Sequence, residues 1–163
     1  MMQEEVFTRV FDILEKNGIE YMITGSFASN MYSMPRSTLD ADVIINATIQ
    51  NLEKFIKDLQ EDFYADINMA LDALKRRSMF NIIHFQSGFK VDLIFLKAEP
   101  FDGEEFKRKK SVQYLGKERW FISPEDCILS KLEWSKRSDS ERQFGDAVNI
   151  AKIQGSKLDL HYL

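Results

Sequence analysis

The chain has 163 residues, of which 44% are hydrophobic and 12% aromatic, and its formal net charge is −4. This composition is typical of one globular domain with a substantial core and excludes a disordered chain. The negative charge gives no overall electrostatic case for nucleic-acid binding, and the two short basic clusters, 75–77 and 107–110, are interpreted as solvated faces. The apolar runs are too short to span a membrane and no signal peptide is evident, so we expect a cytoplasmic protein without membrane contact.

Hydrophobic periodicity predicts helices and strands in alternation along the first half of the chain. In order, it predicts an amphipathic helix ending at Asn17-Gly18, a strand over 19–24, a short helix capped by Ser26 and ended by Pro35, a strand over 40–46, a helix capped by Thr48, and a helix over about 67–77.

The second half begins with strands and ends with helices. Strands over 79–86 and 89–97 flank the turn signal Ser87-Gly88 and should pair antiparallel, a charged helix over 101–110 follows, and 111–121 predicts a second hairpin. Ser123-Pro124 begins a helix to about 136, Ser140 caps a helix to about 154, and 159–163 resembles the start of another. Cys127 and both tryptophans, Trp120 and Trp134, are expected in the core.

These elements predict an α/β (α+β) fold with a small, mixed, largely antiparallel sheet flanked by helices and a short C-terminal helical segment. Strands give way to helices near Pro124. We therefore expect a core domain over 1–122 and a C-terminal helical segment over 123–163 that packs on it.

The stretch from Thr24 to Asn46 carries the first chemical signal. Side chains alternate along a strand, so Asp40 and Asp42 point the same way while Ala41 and Val43 face a core. Two neighbouring carboxylates repel each other unless a cation lies between them, and oxygen ligands suit Mg²⁺ or Mn²⁺. The alternatives are a solvated strand edge and an acid pair bonded to loop amides, and the pair alone excludes neither.

Asp92 strengthens the metal interpretation. It is an isolated acid in the apolar run 89–96, where a charge is costly unless it is paired or metal-bound. Three carboxylates on neighbouring strands could hold two divalent cations for phosphoryl or nucleotidyl transfer, or the third could activate an attacking hydroxyl.

A phosphate-binding half is predicted beside the carboxylates. Gly25 allows close approach of a backbone, and Ser26 offers an amide and a hydroxyl at a helix N-terminus, which is an anion site. Arg36 and Lys131 are candidate phosphate clamps.

With these motifs the sequence resembles the polymerase-beta-type nucleotidyltransferase superfamily. Its signature is a strand, Gly-Gly or Gly-Ser, about a dozen residues, Asp-x-Asp, and a later acid in a strand. Here thirteen residues separate Ser26 from Asp40, and Asp92 supplies the later acid. The form Arg36-x-Thr38-x-Asp40-x-Asp42 is similar to minimal bacterial nucleotidyltransferases, including the AbiEii-like toxins of abortive-infection systems.

The resemblance implies a role for each matching residue. Asp40, Asp42 and Asp92 would be metal ligands and catalytic carboxylates, and the triphosphate contacts would come from Gly25, Ser26, Arg36, Thr38 and Lys131. In the helical segment, Lys131 would neutralise phosphate, and Asp146 would assist or position the Lys131 side chain. The chain is shorter than those toxins, lacking most of their C-terminal helical region.

Sequence alone therefore predicts a Mg²⁺- or Mn²⁺-dependent enzyme that transfers a nucleoside monophosphate from an NTP to a hydroxyl and releases pyrophosphate. The acceptor is open between tRNA, a protein and a small molecule. A toxin–antitoxin or phage-defence role, a cognate antitoxin or toxin partner, and a homo-oligomer are further expectations. The alternatives are a catalytically silent binding module, acting as antitoxin or scaffold, and a structural domain with solvated acids.

Overall fold

A computed structural model describes residues 3–33, 40–138 and 140–163. The helices are α1 (Gln3–Lys16), α2 (Gly25–Tyr32), α3 (Ile49–Leu59), α4 (Ile67–Arg76), α5 (Pro100–Lys107), α6 (Pro124–Ser138) and α7 (Glu141–Gln154). The strands are β1 (Glu20–Thr24), β2 (Asp40–Asn46), β3 (Phe63–Tyr64), β4 (Met79–His84), β5 (Lys90–Phe95), β6 (Lys110–Tyr114) and β7 (Lys117–Phe121).

All seven strands lie in one sheet with the order β3-β4-β5-β2-β1-β7-β6. The pairs β1–β7 and β2–β5 are parallel and the other four are antiparallel, which confirms the predicted mixed and largely antiparallel sheet. β2 lies at the centre between β1 and β5. The carboxyl end of β1 therefore meets the amino ends of β2 and β5 at one edge of the sheet.

Alternation along β2 divides its side chains between the core and an open face, as predicted. Ala41, Val43 and Ile45 are fully buried on the core side, whereas Asp40 and Asp42 are partly exposed on the other. The apolar faces of α1 and α3 are buried in the same core. Burial of this kind contributes about 25 cal/mol per Å² of apolar surface, so the strand register is fixed.

The caps were predicted well, with one exception. The Thr48 side chain forms a capping box with Asn51, and Ser123 Oγ accepts a hydrogen bond from the Asp126 amide at 3.1 Å. The prediction that Ser26 caps α2 is wrong. Extended Thr24 is the N-cap, because β1 runs directly into the helix at Gly25.

The C-terminal tail folds differently from the sequence prediction. Residues 159–163 form turns rather than the start of a helix. The Asp159 amide donates to Glu125 at 3.0 Å, and the Tyr162 hydroxyl donates to Asp126. Both acceptors are buried acids of α6. Hydrogen bonds from the tail to these side chains compete with helical backbone hydrogen bonds, so the tail forms turns.

Three other residues depart from the predictions. Arg108, placed in a solvated basic cluster, makes a two-pronged ion pair with fully buried Asp126. Trp120 and Trp134 are 43% and 57% exposed, so their placement in the core is wrong, while Cys127 is buried as expected.

Among the described helices, none has the length and apolar character needed to cross a membrane.

Candidate active site

Asp42 and Asp92 lie side by side on the open face of the sheet. β2 and β5 run parallel with Asp42 paired to Asp92, and Thr24 is the partner of Asp42 on the other side. Successive pairs on this face are Asp40 with Lys90, then the two acids, then Ile44 with Ile94. The register therefore puts a charged row next to an apolar one.

The Asp92 carboxyl group is close enough to Asp42 to alter the pKa of Asp42. Burial first, and then the charge of Asp92, raises the pKa of Asp42 to about 6, and Asp40 adds to the increase. Lys131 opposes the increase. A cation placed between the two acids would stabilise the ionised form of both carboxyl groups.

Gly25 is required by the position of Asp42. Its φ is +68°, and a Cβ at this position would lie 2.2 Å from Asp42 Oδ2. Real Cβ atoms do not come so close to an oxygen, so only glycine lets the carboxylate rest against the first turn of α2. The Gly25-Ser26 motif and Asp42 thus form one unit.

Lys131 enters the site from α6. Its ammonium lies 3.2 Å from Asp146 of α7 and 3.4 Å from the Ser26 hydroxyl of α2. Lys131 is 5% exposed and Asp146 is 9% exposed, so this ion pair is almost fully buried. These two contacts join α6 to α7 and to α2, and they hold a positive charge beside the start of α2.

Asp40 lies one pair further along β2 and turns toward Lys90. The Lys90 ammonium is 3.7 Å from both Asp40 Oδ2 and Asp92 Oδ1. Asp92 Oδ1 is buried and has no hydrogen-bond partner in the structure. A buried carboxylate oxygen that accepts no hydrogen bond is costly, and it is the kind of atom that a bound cation satisfies.

The arrangement fits a divalent cation in its chemistry. Asp42 and Asp92 offer carboxylate oxygens, the donors that Mg²⁺ prefers, and Asp92 Oδ1 accepts no hydrogen bond. Within residues 3–33, 40–138 and 140–163, no three His, Cys, Asp or Glu side chains already converge as ligands around one point. The predicted metal role of Asp40, Asp42 and Asp92 therefore stays a prediction.

A pocket of about 470 Å³ opens over these residues. Its lining includes five residues singled out from the sequence, which are Gly25, Ser26, Asp42, Asp92 and Lys131. Two other predicted site residues are outside this lining. Asp146 forms an ion pair with Lys131, and Asp40 forms one with Lys90. Arg36 and Thr38 lie outside the described residues.

Several lining residues were missed by the sequence analysis. They are the apolar row Ile44, Ile94 and Met79, the polar residues Glu105, Ser130 and Gln143, and Trp134 on the rim. Lys90 was also missed, although its spacing of two from Asp92 in a strand predicts the same face. Glu105 could not be distinguished from the other charged residues of its helix by sequence alone. The position of Gln143 in the pocket depends on how α7 packs.

Glu105 has a distinctive environment. Burial, followed by the charges of Asp126 and Asp102, raises the pKa of Glu105 to about 7, and Arg108 opposes the increase. His84 is buried instead at the end of β4, where Nδ1 contacts the Ser87 hydroxyl at 2.8 Å.

No protein-family model matches the sequence, and no curated protein matches it significantly. Solved structures do match the fold. The lincosamide antibiotic adenylyltransferase LnuA, with lincomycin bound, superposes with a TM-score of 0.62 at 15% identity, covering 94% of this chain and 98% of that one.

Two further structures agree. The antibiotic-resistance factor ANT(2'')-Ia gives a TM-score of 0.64 at 11% identity, covering 95% of this chain and 85% of that one. An antigenic nucleotidyltransferase-like protein from Paracoccidioides brasiliensis gives 0.56 at 17% identity, covering 92% and 74%. Together with the strand order, these similarities show that the chain has a nucleotidyltransferase fold.

Proposed function

We propose that this protein transfers a nucleoside monophosphate from an NTP to an acceptor hydroxyl and releases pyrophosphate. One observation carries the proposal. Asp42 and Asp92 lie in register on the open face of the sheet, and Gly25-Ser26 and Lys131 line the same pocket. Paired acids beside an anion-binding turn match the two needs of nucleotidyl transfer, which are charge neutralisation and an activated hydroxyl.

The phosphate half of the pocket is on the β1 side. The Ser26 amide and hydroxyl at the start of α2, together with the Lys131 ammonium, would hold the β- and γ-phosphates. Asp146 orients Lys131 and balances its charge, because a buried ammonium without an acidic partner destabilises the fold. Arg36 and Thr38 are proposed contacts of the same triphosphate.

The reacting half is on the β5 side, separated from Ser26 by β2. Here the oxygen of the acceptor hydroxyl would attack the α-phosphorus while Asp92 accepts the hydroxyl proton. The bond from that phosphorus to the pyrophosphate oxygen would break, and pyrophosphate would leave. A Mg²⁺ or Mn²⁺ ion held by Asp42 and Asp92, with Asp40 beside them, would supply neutralisation of charge on the phosphates.

The acceptor is proposed to be a small hydroxyl-bearing molecule. The apolar row Ile44, Ile94 and Met79 continues directly from the acids and offers a floor for such a compound. Two of the similar structures are, by name, an antibiotic adenylyltransferase and an antibiotic-resistance factor. A tRNA or protein acceptor, and with it a toxin–antitoxin role, is tested by the same experiment.

The test uses the four NTPs labelled at the α-phosphate, with Mg²⁺ and three acceptor pools: small hydroxyl compounds, total tRNA, and cell protein. We expect label in the small-molecule pool with stoichiometric pyrophosphate, and its loss when Mg²⁺ is chelated or in Asp42→Asn and Asp92→Asn. Label confined to tRNA or protein would change the acceptor. NTP binding without pyrophosphate release from any pool would refute catalysis and favour a silent binding module.

A further inference from the structure

Lys90 places a positive charge inside the group of carboxylates. It precedes Asp92 by two residues on β5 and pairs with Asp40 across the parallel ladder, so all three side chains share the open face. Its ammonium is 3.7 Å from one oxygen of each acid. A side chain of the protein thus occupies the space where a cation would bridge these two carboxylates.

The contacts of Lys90 are of a particular kind. At 3.7 Å they balance charge but exceed hydrogen-bond distance, which agrees with Asp92 Oδ1 having no hydrogen-bond partner. The ammonium therefore offsets the repulsion between the acids and leaves the lone pairs of Asp92 Oδ1 available. The Lys90 side chain is 35% exposed, so its flexible stem has room to turn toward solvent.

We propose that Lys90 is a built-in counter-ion that competes with a divalent cation for Asp40 and Asp92. This inference rests on the metal-dependent function proposed above. Because like charges repel, an ion bound by Asp92 displaces the Lys90 ammonium from at least one of its partners. The free protein then binds a divalent cation weakly, and the added negative charge of an NTP offsets this competition.

Removing the charge of Lys90 should strengthen Mn²⁺ binding and weaken the metal-free fold. Lys90→Met keeps the length and packing of the stem and removes the charge. We expect at least tenfold tighter binding of Mn²⁺ to the nucleotide-free protein, measured by electron paramagnetic resonance and calorimetry. We also expect a lower melting temperature without metal, because Asp40 and Asp92 lose a counter-charge, and a larger rise on adding Mn²⁺.

Three variants control this experiment. Lys97→Met removes an exposed lysine just beyond β5 and should leave Mn²⁺ affinity unchanged. Lys90→Arg keeps the charge and should bind Mn²⁺ as weakly as the wild type. Asp92→Asn should abolish the gain when combined with Lys90→Met, which places the ion at this site. If Lys90→Met folds poorly, Lys90→Gln serves in its place.

The outcomes separate the two proposals. Equal or weaker Mn²⁺ affinity in Lys90→Met, with binding still dependent on Asp92, would overturn the role of Lys90 and leave the metal-dependent function intact. Absence of Mn²⁺ binding to every variant, with and without ATP, would overturn the metal-dependent function itself.

Discussion

Gly25 and Asp42 are in such close contact that a single methyl group would separate them. A Cβ on Gly25 would lie 2.2 Å from Asp42 Oδ2 and 3.0 Å from Asp42 Cγ. Gly25, the first residue of α2, and Asp42 on β2 are therefore one structural feature. A side chain at position 25 would force the Asp42 carboxylate to move.

The first prediction concerns Gly25→Ala. The substitution should displace the Asp42 carboxylate and reduce nucleotidyl transfer by at least 100-fold, because one misplaced group near the reacting atoms has such an effect. Gly18→Ala is the matched control. Gly18 has a φ of +67° but nothing within 4 Å of an added Cβ, so it carries only the backbone cost of about 1 kcal/mol. Similar activity in the two variants would show that the contact with Asp42 is unimportant.

The second prediction concerns the buried pair Lys131–Asp146. Lys131→Met should weaken ATP binding about 10- to 100-fold, since a charge-assisted contact contributes roughly 1.5–3 kcal/mol. It should also destabilise the fold by about 3–5 kcal/mol, because one partner of a buried ion pair is lost. Asp146→Asn keeps the ammonium and should lose less affinity.

Lys136→Met, on the exposed side of the same helix, is the control for this pair. Calorimetric titration with ATP and thermal unfolding measure the two effects separately. Unchanged ATP affinity in Lys131→Met would remove Lys131 from the phosphate site.

The third prediction concerns Glu105 and pH. Its pKa in the folded protein is about 7, above the ordinary 4.5, so between these values the folded state binds more protons than the unfolded state. The free energy of unfolding should therefore fall as pH rises from 4.5 to 7. Glu105→Gln removes this penalty. It should be more stable than the wild type by about 1–2 kcal/mol at pH 8, a value discounted for partial exposure, with no advantage from this source below pH 4.5.

Denaturant unfolding at pH 4.5, 6 and 8 measures this difference. Glu104→Gln changes an exposed acid of the same helix and should give no comparable dependence. A constant difference between Glu105→Gln and the wild type across this range would contradict the shifted pKa.

The fourth prediction concerns the exposed tryptophans. Trp134 is 57% exposed on the rim of the pocket, one helical turn after Lys131, so it is placed to stack on a bound nucleobase or acceptor. Trp134→Ala should weaken ATP or acceptor binding about tenfold, since aromatic stacking on a base contributes roughly 1–3 kcal/mol. Its melting temperature should change little.

Trp120→Ala is the natural comparison for Trp134. Trp120 is 43% exposed on β7, away from the pocket, and its loss should leave both affinities unchanged. Equal effects of the two substitutions, or none from either, would exclude Trp134 as a binding surface.

Local patterns were sufficient for most of the secondary structure. Alternation over 40–46 identified β2 with its correct bounds and its two faces, since period-2 burial leaves a direct trace in the sequence. The two-residue strand β3 was missed because so short a segment has no periodicity and forms only by pairing with β4. Ser26 was assigned as a cap by residue preference alone, although a neighbouring glycine began the helix.

The residues of the candidate site also fall into two groups, those evident from local sequence and those brought together only by the tertiary structure. The sequence by itself determined the Gly-Ser turn, the Asp-x-Asp pair and the isolated acid of β5, because each is a local departure from an apolar strand. Tertiary structure decided that Asp42 meets Asp92, that Asp40 turns to Lys90, and that Glu105, Trp134 and Gln143 line the same pocket. These relationships depend on strand register and on how α5, α6 and α7 pack, and distant contacts of this kind leave no periodic trace in the chain.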